Sequence, residues 1–181
     1  GLTANGLFNM AMILHSVGRD REALPVVRES RALRVTQFGA THELVGDSDH
    51  LLGEIQSALG ENDTARATLQ QAVRLTLAGY GPDHSHTRRA EISLARLRAS
   101  EGAADALLKL TAYGQSDRGD IEQRKSSWLA RAYAAEVECR SHPQTARASL
   151  EAVLAEMQLV LPEGGAIPRE IAAIRSACGK R

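Results

Sequence analysis

The residues of this chain best suited to chemistry are its six histidines, and His84-Ser85-His86 is the closest pair. An imidazole can ligate a metal or move a proton near neutral pH. A structural metal site needs about four ligands, and a catalytic one about three. No cysteine or carboxylate stands at clear ligand spacing from this pair, and two side chains at i and i+2 of a helix entrance are expected to diverge. His42 occupies the place of His84 in an internal repeat, so both read as turn residues that hydrogen-bond a helix start. Asp47, His50 and Glu54 share one helical face, because residues three and four apart are neighbours there. They offer a metal trio or an acid–base pair, but a solvated polar groove is the expected reading. Ser100, Ser126 and Ser127 have no His or Asp partner pattern. Gly60-Glu61-Asn62 reads as a helix–helix turn, and Gly164-Gly165 is too short for a phosphate loop. Cys139 and Cys178 fit no metal spacing and read as reduced, partly buried thiols rather than a disulfide. The expectation is a non-catalytic protein with no metal and no cofactor.

Composition narrows the class further. The 181 residues are 43% hydrophobic, enough for a buried core. Lys+Arg and Asp+Glu are both 22, so the formal net charge is +0, without the basic excess of a nucleic-acid module. Aromatics make up 3%, too few for base-stacking platforms. Ala, Leu, Arg and Glu dominate, which suits helix. Alternating strand patterns are absent, and only five prolines occur. There is no run of 18 apolar residues, hence no membrane span. The fold class is expected to be all-α.

The elements that carry these residues repeat. Gly18, Gly60 and Gly102 recur at an interval of 42 residues. Ahead of each lies an amphipathic stretch, helix A, with a small residue at one place: Ala11, Gly53, Ala95. Beside it stand Met10, Leu52, Leu94 and then Ile13, Ile55, Leu97. Behind the first two glycines a second stretch, helix B, carries Ala23 and Ala65, then Val27 and Leu69. It closes on Phe38-Gly39-Ala40-Thr41-His42 and on Tyr80-Gly81-Pro82-Asp83-His84. A fixed period in this range marks stacked supersecondary units.

The units are expected over about 2–39, 42–81, 85–113 and 120–160, with a capping helix over about 168–178. Asp20 is expected to cap the first helix B, Asn62 or Asp63 the second, and Asp120 the helix that follows the 114–119 loop. Pro143 opens another helix B, and Pro162 to Gly165 breaks the chain. In the third unit the spacing slips, with Ala106 one place early and Leu107 where a small residue is due. Ile171 and Ile174 give the last helix one apolar face, fit to cover the end of a stack. No such cap precedes the first unit. The chain therefore reads as one solenoid over 1–181, a fragment of a larger protein. Leu2, Leu7 and Phe8 are expected to be left uncovered, with self-association through that N-terminal end.

A paired-helix unit with a small residue in helix A and an Ala early in helix B resembles the tetratricopeptide repeat. The 42-residue period, Arg21-Glu22-Ala23-Leu24-Pro25-Val26-Val27 and Tyr80-Gly81-Pro82-Asp83-His84 are similar to its kinesin-light-chain-like subclass. The resemblance covers about Leu2 to Leu97 well and the rest loosely. It implies a right-handed α–α superhelix of about four helix pairs. It also implies a protein-interaction scaffold, cytoplasmic, that takes a peptide or partner domain in the concave groove of its A helices. Carried over by repeat position, the groove residues are Asn5, Phe8, Met12 and His15; Asp47, His50, Glu54 and Ser57; and Arg89, Ile92 and Arg96. The groove lacks the Lys/Asn clamp with which some family members hold a C-terminal carboxylate. In bacteria such repeats often follow Ser/Thr kinase domains. The alternative implied is thus a regulatory or self-assembly segment of a larger bacterial signalling enzyme.

Overall fold

A computed structural model of the chain describes residues 3–115, 120–161 and 166–178. Among the described residues there are nine helices and no strand, as the composition predicts. They are α1 (Ala4–Ser16), α2 (Asp20–Phe38), α3 (Glu43–Ala58), α4 (Asn62–Tyr80), α5 (Ser85–Ser100), α6 (Ala104–Gly114), α7 (Ile121–Glu138), α8 (Pro143–Gln158) and α9 (Ala166–Ala177). Leu2, most of the 114–119 loop and the break at Pro162 to Gly165 lie outside the described residues. The contacts group the chain into two compact units, Gly1–Leu97 and Arg98–Arg181, with the boundary inside α5.

In the first unit α1, α3 and α5 are A helices, and α2 and α4 are B helices. Gly18 and Gly60 end α1 and α3 with φ of 76° and 81°, a left-handed conformation that costs glycine least. A turn of a few residues then sends the next helix back along the first. A Cβ on Gly46 would lie 2.9 Å from Leu75 Cβ, and one on Gly53 2.6 Å from Leu69 Cγ. These two glycines, seven residues apart on one face of α3, let α4 run antiparallel against it at close range. The equivalent places in α1 are Ala4 and Ala11, both buried, and Ala95 is buried in α5. Gly46 and Gly53 therefore stand at a close A–B contact, where larger side chains would hold the axes apart.

Each B helix also packs on the next A helix. Ala23 and Val27 of α2 share a buried cluster with Leu52 and Ile55 of α3, and Leu59 packs against it. One repeat later, Ala65 and Leu69 of α4 cluster with Leu97 of α5, with Leu94 alongside. The turn into each following A helix is also repeated. The ring of Phe38 lies 4.8 Å from that of His42, and the Tyr80 ring stacks on His84 at 4.4 Å. His42 Nδ1 then accepts the Leu44 N–H at 3.2 Å, and His84 Nδ1 accepts the His86 N–H at 3.3 Å. The helix-start role read from the repeat is thus what these histidines do.

Two expected caps are replaced. α2 begins at Asp20 itself, and Asp20 pairs with His15 at 2.5 Å across the A–B turn instead of capping. α4 begins at Asn62 with no side-chain cap. Asp120 does cap α7, accepting from the N–H groups of Glu122 and Gln123 at 3.0 Å each.

The second unit holds α6 to α9. Ala106 is buried and Leu107 only half so, in line with the slipped spacing. Arg131 of α7 forks onto Glu156 of α8 at 2.6 and 2.8 Å, and Trp128 donates to the same carboxylate. Ile171 and Ile174 of α9 are buried, as the capping role requires, and Tyr133 donates to Glu170 at 2.6 Å. The thiol reading of the cysteines is corrected. Cys139, at the end of α7, and Cys178, just past α9, form a disulfide with Cα atoms 5.3 Å apart. α9 returns the chain to α7, which brings together two cysteines that sequence distance kept apart.

Candidate functional site

The A-helix face of the first unit collects most of the expected groove residues, sorted by what surrounds them. Asn5, Met12 and Arg89 are exposed. Phe8, His15, His50, Glu54, Ser57 and Arg96 are half-buried. Asp47 and Ile92 are buried, so neither faces solvent as the groove reading expects. Ile92 is apolar and is withdrawn from water. Asp47 is drawn inward by partners.

The polar face of α3 is not the solvated trio expected. It separates into two clusters. In the first, Asp47 Oδ2 accepts the Tyr80 hydroxyl at 2.8 Å, and Oδ1 meets His86 Nδ1 at 2.7 Å. Burial first, and then the hydrogen bond to Asp47, push the Tyr80 hydroxyl above the ordinary phenol range. His84 and His86 do not diverge. Their ring centroids lie 5.2 Å apart, because both lean on Tyr80. On the opposite side of α3, Asp49 is buried and ion-paired with Arg31 of α2.

In the second cluster α3 and α5 meet. His50 Nε2 lies 2.9 Å from Ser93 Oγ and 3.4 Å from Glu54 Oε1, while Ser93 Oγ donates to Glu54 Oε1 at 2.9 Å. Burial alone would raise the Glu54 carboxyl. His50, then Arg89 and His15, outweigh it and hold the group well below the usual carboxylate range. Glu54 is thus an ionised carboxylate in contact with His50 of α3 and Ser93 of α5. The network fixes polarity as well. The Ser93 proton goes to the carboxylate, and His50 donates toward the Ser93 oxygen. A nucleophilic serine needs the reverse arrangement, with histidine taking the hydroxyl proton. Among the described residues no group of three His, Cys, Asp or Glu side chains is placed to hold a metal.

Sequence reasoning missed two residues here. Ser93 stands at the repeat place of Asn9 and Leu51, which carry no hint of its role. Arg34 of α2 is buried, donating to Leu44 O at 2.8 Å, to Ser48 Oγ at 3.0 Å and to Asn5 Oδ1 at 3.0 Å. Burial pulls its guanidinium below the usual range, with Asp47 and Tyr80 opposing. It ties α1, α2 and α3 together and fixes the Asn5 side chain on the groove face. Its repeat equivalent is Thr76, so the period gives no warning of it.

Paired antiparallel helices at a 42-residue interval, glycines at a close A–B contact, and a polar face built from successive A helices define a helical repeat protein. The family model described as tetratricopeptide repeat matches residues 2–78, the stretch that carries α1 to most of α4. No curated protein matches it. Such repeats mediate protein–protein interaction, and the chain is all-α. No helix among the described residues is long and apolar enough to cross a membrane.

Proposed function

We propose that the first unit is a docking scaffold whose A-helix face receives a peptide or partner domain, without catalysis. The observation that supports this most is the cluster of His50 and Ser93 on the Glu54 carboxylate, which joins α3 to α5 on this face. Two helices commit side chains to holding one carboxylate in place. Around it Asn5, Met12 and Arg89 remain open, giving a surface with apolar, neutral polar and cationic contacts. Preorganised groups of this kind lower the ordering cost of binding. The Cys139–Cys178 disulfide does not favour the cytoplasmic location expected from the sequence, because reducing compartments keep thiols reduced.

The test is a pull-down on the intact protein, with wild type and Glu54→Arg compared side by side. Circular dichroism should find both variants equally helical. Wild type should retain partners that Glu54→Arg loses. An identical set of captured proteins on both would remove the A-helix face as the docking surface.

A further inference from the structure

The outer face of α1 is apolar and bare. Met10 is 38% exposed, Ile13 62% and Val17 59%. Their spacing, i, i+3, i+7, puts them in one stripe along the helix. The helix around them, Ala4–Ser16, contains no Asp, Glu, Lys or Arg. A face meant for water ordinarily carries charge, and in a chain that is 24% charged such a helix stands out.

The molecule itself states what covers this stripe. Met10, Ile13 and Val17 hold the repeat places of Leu52, Ile55 and Leu59. In α3 those residues are covered by α2, through Ala23 and Val27. In α5 the equivalent Leu94 and Leu97 are covered by α4, through Ala65 and Leu69. Twice, then, one surface is filled by a helix offering a small residue and, four residues on, an aliphatic one. The small residue lets the helix approach and the aliphatic one fills the space beside it. α1 presents the same surface a third time with nothing on it.

We infer that the Met10–Ile13–Val17 stripe is a docking site for an amphipathic helix of the α2 and α4 pattern, supplied by a partner protein. The helix lies antiparallel to α1, seating its small residue beside Ile13 and its aliphatic residue between Met10 and Ile13. The site is distinct from the A-helix face proposed above, because the two lie on different sides of α1. It also differs from the N-terminal surface that the sequence suggests. Leu7 is buried, and Phe8 is half-buried beneath the Arg34 guanidinium, 4.4 Å from the ring centroid.

The probe is a peptide of residues 20–38, the α2 sequence. A free helix of this length is marginal in water. It is therefore braced by a hydrocarbon link between positions 28 and 32, which are exposed in the fold. It is titrated into the whole chain, with binding and amide exchange both followed. Saturable binding and slowed exchange confined to α1 are expected. Ile13→Asp in the protein, or Ala23→Arg in the peptide, should weaken binding by about tenfold or more, as for a central interface residue. Ile13 is mostly exposed, so Ile13→Asp should leave the melting profile unchanged. Glu54→Arg should bind the peptide like wild type, which separates this site from the groove. No binding, or binding indifferent to both substitutions, overturns the inference. So does a chain that dimerises without peptide and loses the dimer in Ile13→Asp, since the stripe then serves a second copy.

Discussion

Arg34 lies over Phe8, its guanidinium carbon 4.4 Å from the ring centroid, and its terminal nitrogens donate to α1 and α3. A residue expected to meet a partner is thus already engaged within the fold. The stacking needs a flat cation, and the three hydrogen bonds need a fork. Lysine supplies neither. Arg34→Lys should cost about 2 kcal/mol, the scale of leaving buried hydrogen-bond partners unsatisfied. Urea unfolding followed by circular dichroism measures it. A loss under about 0.5 kcal/mol, the usual surface-substitution range, would mean that Arg34 is not the tie described.

Gly46 and Gly53 should answer alanine differently. In both cases the helix gains about 1 kcal/mol of propensity. At Gly53 the new methyl meets the Leu69 side chain at 2.6 and 2.8 Å, and that side chain has rotamer freedom to yield. At Gly46 it meets Leu75 Cβ at 2.9 Å and the Thr76 backbone nitrogen at 3.1 Å, which move only with α4 itself. Overpacking costs about 1–3 kcal/mol, so it offsets the gain at Gly53 and exceeds it at Gly46. Thermal melts should rank wild type close to Gly53→Ala and both above Gly46→Ala. The reverse order would contradict the α3–α4 geometry.

Glu54 should contribute to acid lability. Its folded carboxyl lies well below the ordinary value of 4.5, so the unfolded chain binds the proton more readily. The stability it supplies is complete above about pH 5 and falls away as the pH drops through the acid range below 4.5. Glu54→Gln removes that proton linkage. Plotted against pH, the urea midpoint of Glu54→Gln should fall less steeply below pH 5 than that of wild type. Parallel curves would show that the carboxylate is not held ionised by its neighbours.

The disulfide should matter to one unit and not the other. Cys139 and Cys178 are 39 residues apart in sequence, and closing a loop of that length stabilises by about 4 kcal/mol in the chain-entropy model. Thiol titration under denaturing, non-reducing conditions should find no free sulfhydryl. Reduction, or Cys178→Ser, should speed amide exchange in α8 and α9 and leave α1 to α4 unchanged. Two titratable thiols per chain would restore the reading drawn from the sequence.

The sequence recorded contacts that depend on side-chain size and concealed those that depend on charge. Ala11 and Gly53 recur because the α1–α2 and α3–α4 pairs meet the same steric demand. The early Ala106 marks where that demand shifts by one residue. Arg34 and Ser93 stand at the repeat places of Thr76 and Leu51, which have a different chemistry. Each solves a local pairing problem between particular helices, so periodicity cannot report it. Asp20 had the identity of a cap and the position to reach His15, and the imidazole won. The cysteines were hidden for a topological reason: nothing in their spacing tells that α9 folds back to the end of α7.

The imidazoles of His42 and His84 each receive a main-chain N–H on Nδ1. Each ring so satisfies one of the main-chain donors that a helix start leaves without an intrahelical acceptor. Because the two turns are copies, α3 and α5 hold their first turns by the same contact. A repeat that duplicates its joints also duplicates what fastens them.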